Sequence, residues 1–504
     1  MLALAHAAGF AKPVIDWHAF APEIILTGVV CLLIIADVVL LERAKAFASS
    51  IAGLGLLASL IPLITLASSD HVTRSMFGGG YVVDRNALLL KALFIVSGYV
   101  VVLLSTNYVA EGDYWESEYY TLMVASILGM TVMASARDLV SIFLALELLS
   151  IPAYMLAGWR KRDVRSNEAG LKYYLMGVFA SAVLLYGMSL LYGLTGSTIL
   201  ADIGSSIAAH HKTPALTLAI VFVLIGFGFK VSAVPFHSWA PDTYEGAPTP
   251  VTAFLATASK GAGFVALIQV ISFAFPSQSN VLAPAVFILA ALSMTVGNLI
   301  ALRQTNVIRM LAYSGIAQAG FMLSPFVVTG KGAAAGETVS AVIVYLIIYA
   351  AMNLGAFAVV MAVARTTRSG EITSFAGLFN YAPGLTVVMT IFLSSLVGIP
   401  PLGGWYAKFG VMKVLIGAHT GWGYALAIVL AVNTAIAAYY YLNVAKTMWF
   451  DDVPDEVPES SRKVIVPASL RSALVITVAA TILFGVLPGI LSDAAQHVSS
   501  IAHP

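Results

Sequence analysis

The chain is an almost unbroken succession of apolar runs, each about as long as a lipid bilayer is thick. Of its 504 residues, 60% are hydrophobic and only 10% are charged, whereas soluble domains have about 25% charged residues. A helix needs about 20 apolar residues to cross a bilayer. This pattern excludes a soluble globular enzyme and a disordered chain, and it predicts a polytopic membrane protein.

Fourteen runs are long enough to span a membrane. Continuous apolar runs predict an all-α fold, since a membrane β-barrel would show short alternating strands. Runs 214–241 and 385–418 are longer than one crossing needs and contain prolines, so we expect two broken helices. The runs are 22–41, 46–67, 86–105, 118–134, 138–158, 171–195, 214–241, 250–274, 281–301, 307–328, 338–364, 385–418, 422–449 and 471–491.

The distribution of basic residues predicts the orientation in the membrane. Thirteen Lys and Arg residues lie in the odd-numbered loops, and six lie in the even-numbered loops and tails. Because loops rich in Lys and Arg stay in the cytoplasm, we expect both termini to face outward. The net charge of +1 gives no indication of nucleic-acid binding. The expected surroundings of the apolar runs are lipid. Cys31 is the only cysteine, which excludes an all-cysteine iron–sulfur cluster held by this chain alone.

Apart from Arg309 and Arg471, which lie at span ends and are counted with the loops, the basic residues inside the runs are all lysines. A buried ammonium group can lose its proton, whereas a guanidinium group cannot. Lys230, Lys260 and Lys408 each lie more than about 10 Å from either helix end, and a charge there costs at least a few kcal/mol. We therefore predict a functional role for these three. Lys91, Lys172 and Lys446 are expected to reach the membrane interface, and Lys413 is ambiguous.

One acidic residue also lies in the middle of a run. Glu147 is about nine residues from each end of LVSIFLALELLSIPAYMLAG. A carboxylate at that depth needs a partner, and we expect a lysine on a neighbouring span, whose pKa the acid would control. The alternative is a protonated glutamic acid with a purely structural hydrogen bond.

The two broken runs share one construction. Pro235 interrupts the first run beside Lys230, and Pro400 and Pro401 interrupt the second just before Lys408. His237 follows the first break, and its expected role is either that of a proton relay or that of a structural histidine. Because the broken runs are five spans apart, they cross in opposite directions, which is typical of inverted repeats. The expected divisions are three flanking helices in 1–117, two five-helix repeats in 118–274 and 281–449, and an acidic loop with the last span in 450–504.

These residues together predict a proton path. Glu147, Lys230, Lys260 and Lys408 would form a mid-membrane line between two half-channels. The sequence has no phosphate-binding GxxxxGK[ST], no CxxC and no HExxH, and the loops are short. We therefore expect this chain to bind no cofactor and no metal, and to use either ion gradients or energy from partners.

Three segments resemble a known family. KVSAVPFHSWAPDTYEGAPTPVTAFLATASK, GIPPLGGWYAKFGV and LALELLSIPAYML are similar to the antiporter-like subunits of the proton-pumping NADH:quinone oxidoreductase, respiratory complex I. Within that family, PDTYEGAPTPV with FLATASK most resembles subunit N. The L and M subunits and the Mrp-type cation/proton antiporters usually have a different run after the PD pair. An Mrp-type antiporter subunit is the alternative function.

The resemblance implies roles and partners. Glu147 would be the partner and modulator of Lys230, Lys260 the central connecting group, and Lys408 the terminal group towards the periplasm. NADH, flavin, iron–sulfur clusters and quinone would belong to other subunits. M-type and K-type subunits would flank this chain in a bacterial inner membrane, with both termini periplasmic.

Overall fold

The computed structural model is almost entirely helical. All fourteen apolar runs fall on one helix or on two helices separated by a break, and eleven helices of the described chain are long and apolar enough to cross a membrane. The prediction of an all-α, multi-pass membrane protein is therefore confirmed. The structure describes residues 14–40, 42–69, 73–112, 116–210, 213–330, 335–453 and 464–496. Both termini and most of the acidic loop lie outside these residues.

The first three spans are helices α1 (Ala21–Leu40), α2 (Glu42–Ser68) and α3 (Arg85–Ala110). Strands β1 (Arg74–Met76) and β2 (Tyr81–Val83) form a hairpin between α2 and α3 that the sequence did not predict. Arg74 donates to Asp16. Partial burial alone would raise the pKa of Asp16, but the bonds from Arg74 and two backbone N–H groups hold that pKa below its usual value. The hairpin is thereby tied to the start of α1.

The remaining helices follow in chain order. The first group is α4 (Glu116–Ser135), α5 (Leu139–Ala157), α6 (Val164–Thr195), α7 (Leu200–His210), α8 (Pro214–Lys230), α9 (Trp239–Gly246), α10 (Thr249–Phe254) and α11 (Lys260–Gln269). The second group is α12 (Ser279–Ala301), α13 (Val307–Leu323), α14 (Ala335–Thr367), α15 (Leu378–Tyr381), α16 (Pro383–Val397), α17 (Gly403–Gly417), α18 (Gly421–Phe450), α19 (Ala468–Val486) and α20 (Gly489–Gln496).

Helix α7 is a short element outside the predicted runs. Its buried residues Leu200, Ile203 and Ile207 recur at helical spacing, which gives the helix one apolar face. That face packs against the end of the eighth span and against α6. Too short to cross a bilayer, α7 covers one end of the bundle.

Both expected helix breaks are present. In the seventh span, α8 ends at Lys230 and α9 begins at Trp239; in the twelfth, α16 ends at Val397 and α17 begins at Gly403. The second break brings Gly404 against the end of α16, where an added Cβ would lie 1.7 Å from the Ser395 carbonyl oxygen. Only glycine fits at this position. The four-part division of the chain and the inverted repeat stay predictions.

Lys91 does not reach the membrane interface, so that prediction was wrong. Its side chain is fully buried, and its Nζ lies 3.0 Å from a Glu23 carboxylate oxygen and donates to the Tyr81 hydroxyl at 2.9 Å. The hairpin supplies Tyr81 and α1 supplies Glu23, so elements distant in sequence enclose the lysine. By contrast, Lys413 and Lys446 are exposed.

Candidate functional site

Lys230 occupies the last position of α8, at the edge of the first break. Its side chain is buried, and its Nζ donates to the Ser150 hydroxyl at 2.8 Å and to the Tyr173 hydroxyl at 3.4 Å. The Tyr173 ring stacks on Trp239 with centroids 4.5 Å apart. The Trp239 indole donates to the Phe229 carbonyl. Trp239 of α9, the second half of the broken helix, therefore holds Tyr173 in position beside Lys230.

Glu147 lies on α5, one turn before Ser150, so the two side chains share a face of the helix. Among the described residues its carboxylate makes no direct ion pair with Lys230, whose ammonium group donates to Ser150 and Tyr173. The expected direct pair with a lysine is therefore wrong for the described residues. Glu147 is nevertheless only one helical turn from Ser150, the residue that accepts from Lys230. One carboxylate oxygen is buried without a hydrogen-bond partner in the described part of the chain.

Lys260 begins α11 directly after a π-helical turn, Leu255–Ser259, which interrupts the eighth span. Such turns often occur at functional sites because they redirect the side chains that follow. The Lys260 Nζ donates to the Gly315 carbonyl oxygen on α13 at 2.8 Å. One turn later, Gly263 faces the stem of Lys230, whose Cγ lies 3.0 Å from where a Cβ would be. The structure therefore packs the stem of Lys230 against the eighth span, one helical turn from Lys260.

Lys408 lies on α17 and closes the second break. Its Nζ donates to the carbonyl oxygens of Leu396 and Val397 at 3.0 and 2.8 Å, which are the last two residues of α16. The same ammonium group lies 4.7 Å from the centroid of the Phe321 ring. Backbone carbonyls that the break leaves without helical partners are therefore the acceptors for this lysine.

Polar side chains continue from Lys408 into the bundle. Gln318 on α13 donates to the Leu396 carbonyl oxygen at 3.3 Å and to the Tyr441 hydroxyl at 3.4 Å. The Tyr345 hydroxyl donates to the Gln318 carbonyl at 2.5 Å, and Ser314 is hydrogen-bonded to Tyr441. All these side chains are buried. Side chains of α13, α14 and α18 and a carbonyl of α16 thus form one network, which we call the Gln318 network.

The Gln318 network approaches Lys260 at Gly315. An added Cβ on Gly315 would lie 3.1 Å from the Lys260 Nζ and 3.0 Å from the Tyr349 hydroxyl. Asn353 donates to the same Tyr349 hydroxyl at 3.1 Å. These residues were not predicted from the sequence, although Gln318 and Asn353 are amides inside apolar spans, a feature that indicates a polar path.

The supporting residues lie at the two breaks and outside this network. Pro235, Pro400 and Pro401 are exposed, and the Val234–Pro235 and Pro400–Pro401 peptides are cis. His237 is partly buried, and its Nδ1 has no hydrogen-bond partner within the described chain. Its roles as a proton relay or as a structural histidine both stay predictions.

Charged side chains surround the end of α9. Asp242 accepts from Lys172 at 2.8 Å and from Arg309 at 2.9 Å, and Glu245 accepts from Arg309 at 2.9 Å. These residues line a cavity of about 210 Å³. In the portion of the chain that is described, no three His, Cys, Asp or Glu side chains converge to hold a metal ion. The cluster forms a charged cavity at the end of α9, the second half of the first broken helix.

The class of this multi-pass helical fold, with lysines buried at two helix breaks, is that of the antiporter-like membrane proteins, because the family model described as NADH:quinone oxidoreductase/Mrp antiporter, TM, matches residues 136–434. NADH-quinone oxidoreductase subunit N of Heliobacterium modesticaldum is 39% identical over 90% of this chain and 93% of that protein. The chain belongs to the family of NADH-quinone oxidoreductase subunit N, as the sequence motifs predicted.

Solved structures agree with this placement. A chain of respiratory complex I from Thermus thermophilus with bound aureothin is 31% identical, with a TM-score of 0.78, over 94% of this chain and 99% of that one. A chain of the Mrp complex from Dietzia sp. has a TM-score of 0.82 over 96% of this chain and 97% of that one, but only 18% identity. The second likeness shows a common fold alone.

Proposed function

We propose that this chain is a proton-translocating subunit in the membrane arm of an NADH:quinone oxidoreductase. Protons would pass through two half-channels joined by Glu147, Lys230, Lys260 and Lys408. The observation that carries the proposal is that the three lysines are buried and donate to neutral acceptors. A lysine held by a carboxylate would stay charged, whereas neutral partners allow the ammonium group to release its proton.

The first half of the path would use Glu147 and Lys230. Glu147 and Ser150, the acceptor for Lys230, both lie on α5, so a small movement of α5 would change the distance between the two charges. Approach of the carboxylate favours the protonated lysine, and withdrawal favours proton release. The short Ser150 hydroxyl contact supports this role because it holds Lys230 in place without fixing its charge.

The second half would run from Lys260 to Lys408 along the Gln318 network. The hydroxyl groups of Ser314 and Tyr441 can donate and accept, as water can. The amide of Gln318 would orient them and hold the Leu396 carbonyl beside Lys408. Water molecules next to these groups would complete the proton path.

The source of energy would lie in partner subunits. NADH, flavin, iron–sulfur clusters and quinone are assigned to those partners, and this chain would act as part of the translocase without a redox centre of its own. M-type and K-type membrane subunits are the proposed neighbours. The location would be a bacterial inner membrane, with both termini periplasmic.

An Mrp-type cation/proton antiporter subunit is the second candidate because the Mrp chain shares the fold. The identity of 39% to a subunit N favours the first function. Sodium-dependent proton movement without NADH, catalysed by the assembled complex, would favour the antiporter.

The experiment is to measure NADH oxidation and proton pumping together in vesicles that contain the assembled complex with Lys260→Ala. We expect both rates to fall, because Lys260 lies between the two halves of the path. Lys446→Ala is the control, since Lys446 is an exposed lysine of α18. Normal pumping and oxidation in an assembled Lys260→Ala complex would refute the path.

A further inference from the structure

Two cavities lie end to end along the seam between α3, α14 and α19. One, of about 320 Å³, is lined by Asn107, Arg365 and Ser469 from these helices and by Arg160 from the loop after α5. The other, of about 240 Å³, is lined mainly by apolar residues of the same three helices, with Leu491 of α20. On α3 and the two residues after it, residues 89–100 line the apolar cavity and 104–112 line the polar one. The order matches on α14 and α19, so the two cavities follow the same seam, and we call them together the groove.

The apolar part of the groove has the length of one membrane leaflet. On α3 it extends from Leu89 to Val100, which is about 16 Å at about 1.5 Å per residue. Half of a hydrocarbon core of about 30 Å is about 15 Å. A molecule with its polar head in the polar cavity would therefore extend its apolar part to about the middle of the bilayer.

The polar end of the groove is suited to an anionic group. Two arginines and one glutamate line it, and Arg365 is paired with Glu111 at 2.6 Å. Arg160 donates to the Gly246 carbonyl and pairs with Asp163 at 3.2 Å, while its buried Nε has no partner among the described residues. Arginine is the side chain best shaped to bind phosphate oxygens, and basic pockets between membrane helices bind anionic lipid head groups.

The apolar end is suited to an acyl chain and not to a polypeptide. A helix with side chains is about 10–12 Å wide, too wide for a groove of about 240 Å³. An extended peptide would need hydrogen-bond partners inside the bilayer. The lining offers almost none, because residues such as Leu93, Ala351 and Phe484 predominate, and the Thr477 hydroxyl donates within its own helix.

We propose that this groove binds one anionic phospholipid, with its phosphate between Arg160 and Arg365 and an acyl chain between α3, α14 and α19. The lipid would fill the seam between the three N-terminal spans and the second half of the bundle. This role is independent of proton transfer, because none of the groove residues belongs to the lysine path.

The first test compares Ala480→Trp with Ala479→Trp in the purified, whole complex. Ala480 lines the groove, whereas its neighbour Ala479 is exposed on the same helix and does not line it. Phospholipid that remains after extensive detergent washing is quantified by mass spectrometry. We expect Ala480→Trp to lose one anionic phospholipid per complex and Ala479→Trp to retain it. Equal retention in both assembled variants would overturn the proposal.

The second test keeps the groove and changes its charge. The complex is washed free of lipid, and binding of added phosphatidylglycerol is compared with binding of phosphatidylcholine. Arg365→Gln should lower phosphatidylglycerol binding several-fold, whereas Glu111→Gln, which breaks the same ion pair, should not lower it. Equal losses in both variants would mean that the ion pair only supports the fold. A map of the complex with a neighbouring subunit's helix in the groove would also overturn the proposal.

Discussion

Lys408 and Gln318 donate hydrogen bonds to the same atom, the carbonyl oxygen of Leu396, at 3.0 and 3.3 Å. One side chain comes from the second half of the broken twelfth span and the other from α13, which also faces Lys260. The carbonyl lies at the end of α16. Any movement of this helix end therefore changes the surroundings of Lys408 and of the Gln318 network together.

The shared carbonyl gives a prediction for Gln318→Leu. The leucine cannot orient Tyr345 and Tyr441, so we expect proton pumping to fall by about tenfold, since displacing a reacting group by an ångström costs up to about 10²-fold in rate. Pumping is measured in vesicles with the assembled complex. Gln304→Leu is the matched control, because Gln304 follows α12 and its side chain donates to the Ile300 carbonyl oxygen of that helix, away from the lysine path. Equal pumping in the two variants would contradict the role of Gln318.

Gly315→Ala tests the contact between α13 and Lys260. The added methyl group would lie 3.1 Å from the Lys260 Nζ and 3.0 Å from the Tyr349 hydroxyl. We expect it to displace the ammonium group and to lower coupled NADH oxidation by about tenfold. Gly410→Ala on α17 is the control, because nothing lies within 4 Å of its added Cβ. Unchanged activity in Gly315→Ala would show that Lys260 needs no fixed position.

Substitutions of Glu147 test whether this carboxylate carries charge or only fills space. Glu147→Gln should impair pumping less than Glu147→Ala, because the amide retains hydrogen-bonding atoms. If charge is needed, both variants should pump at least about tenfold more slowly, within the range for loss of an acid–base group. Pumping at the native rate in both variants would support the structural glutamic acid.

Glu23 and Lys91 form a buried ion pair whose loss should destabilise the N-terminal spans. Lys91→Met leaves the Glu23 carboxylate buried without a cation, which costs about 3–5 kcal/mol. We expect the complex to lose its subunit at a lower temperature, as measured by thermal dissociation of the purified complex. The double variant Glu23→Gln with Lys91→Met should recover most of this loss. A double variant no more stable than Lys91→Met would indicate that the pair is not the cause.

Much of the fold could be predicted because a bilayer fixes the length and composition of each span. The prolines also located both breaks, since a proline inside a helix removes a hydrogen bond. The hairpin at 74–83 and α7 were missed because they are short and lie between the apolar runs. The prediction for Lys91 was wrong because the hairpin that covers this side chain was not predicted.

The partners of the buried lysines depend on contacts between distant spans. Nothing near Lys408 in the sequence indicates Gln318, which is 90 residues earlier. The depth of Lys230 in its span was readable from the sequence. Its preference for Ser150 over Glu147 was not, because these two residues differ by one helical turn on the same face.

The carbonyls that hold Lys408 form the C-terminal end of α16, and that end has a permanent partial negative charge of about half an electron. A positive charge on Lys408 is therefore balanced by the peptide backbone, which has no proton to gain or lose. No single side-chain substitution can neutralise this field. Only a change that moves the helix end, such as one at Gly398, where φ is 99°, would alter it. The electrostatic setting of this lysine is thus determined by the position of the break.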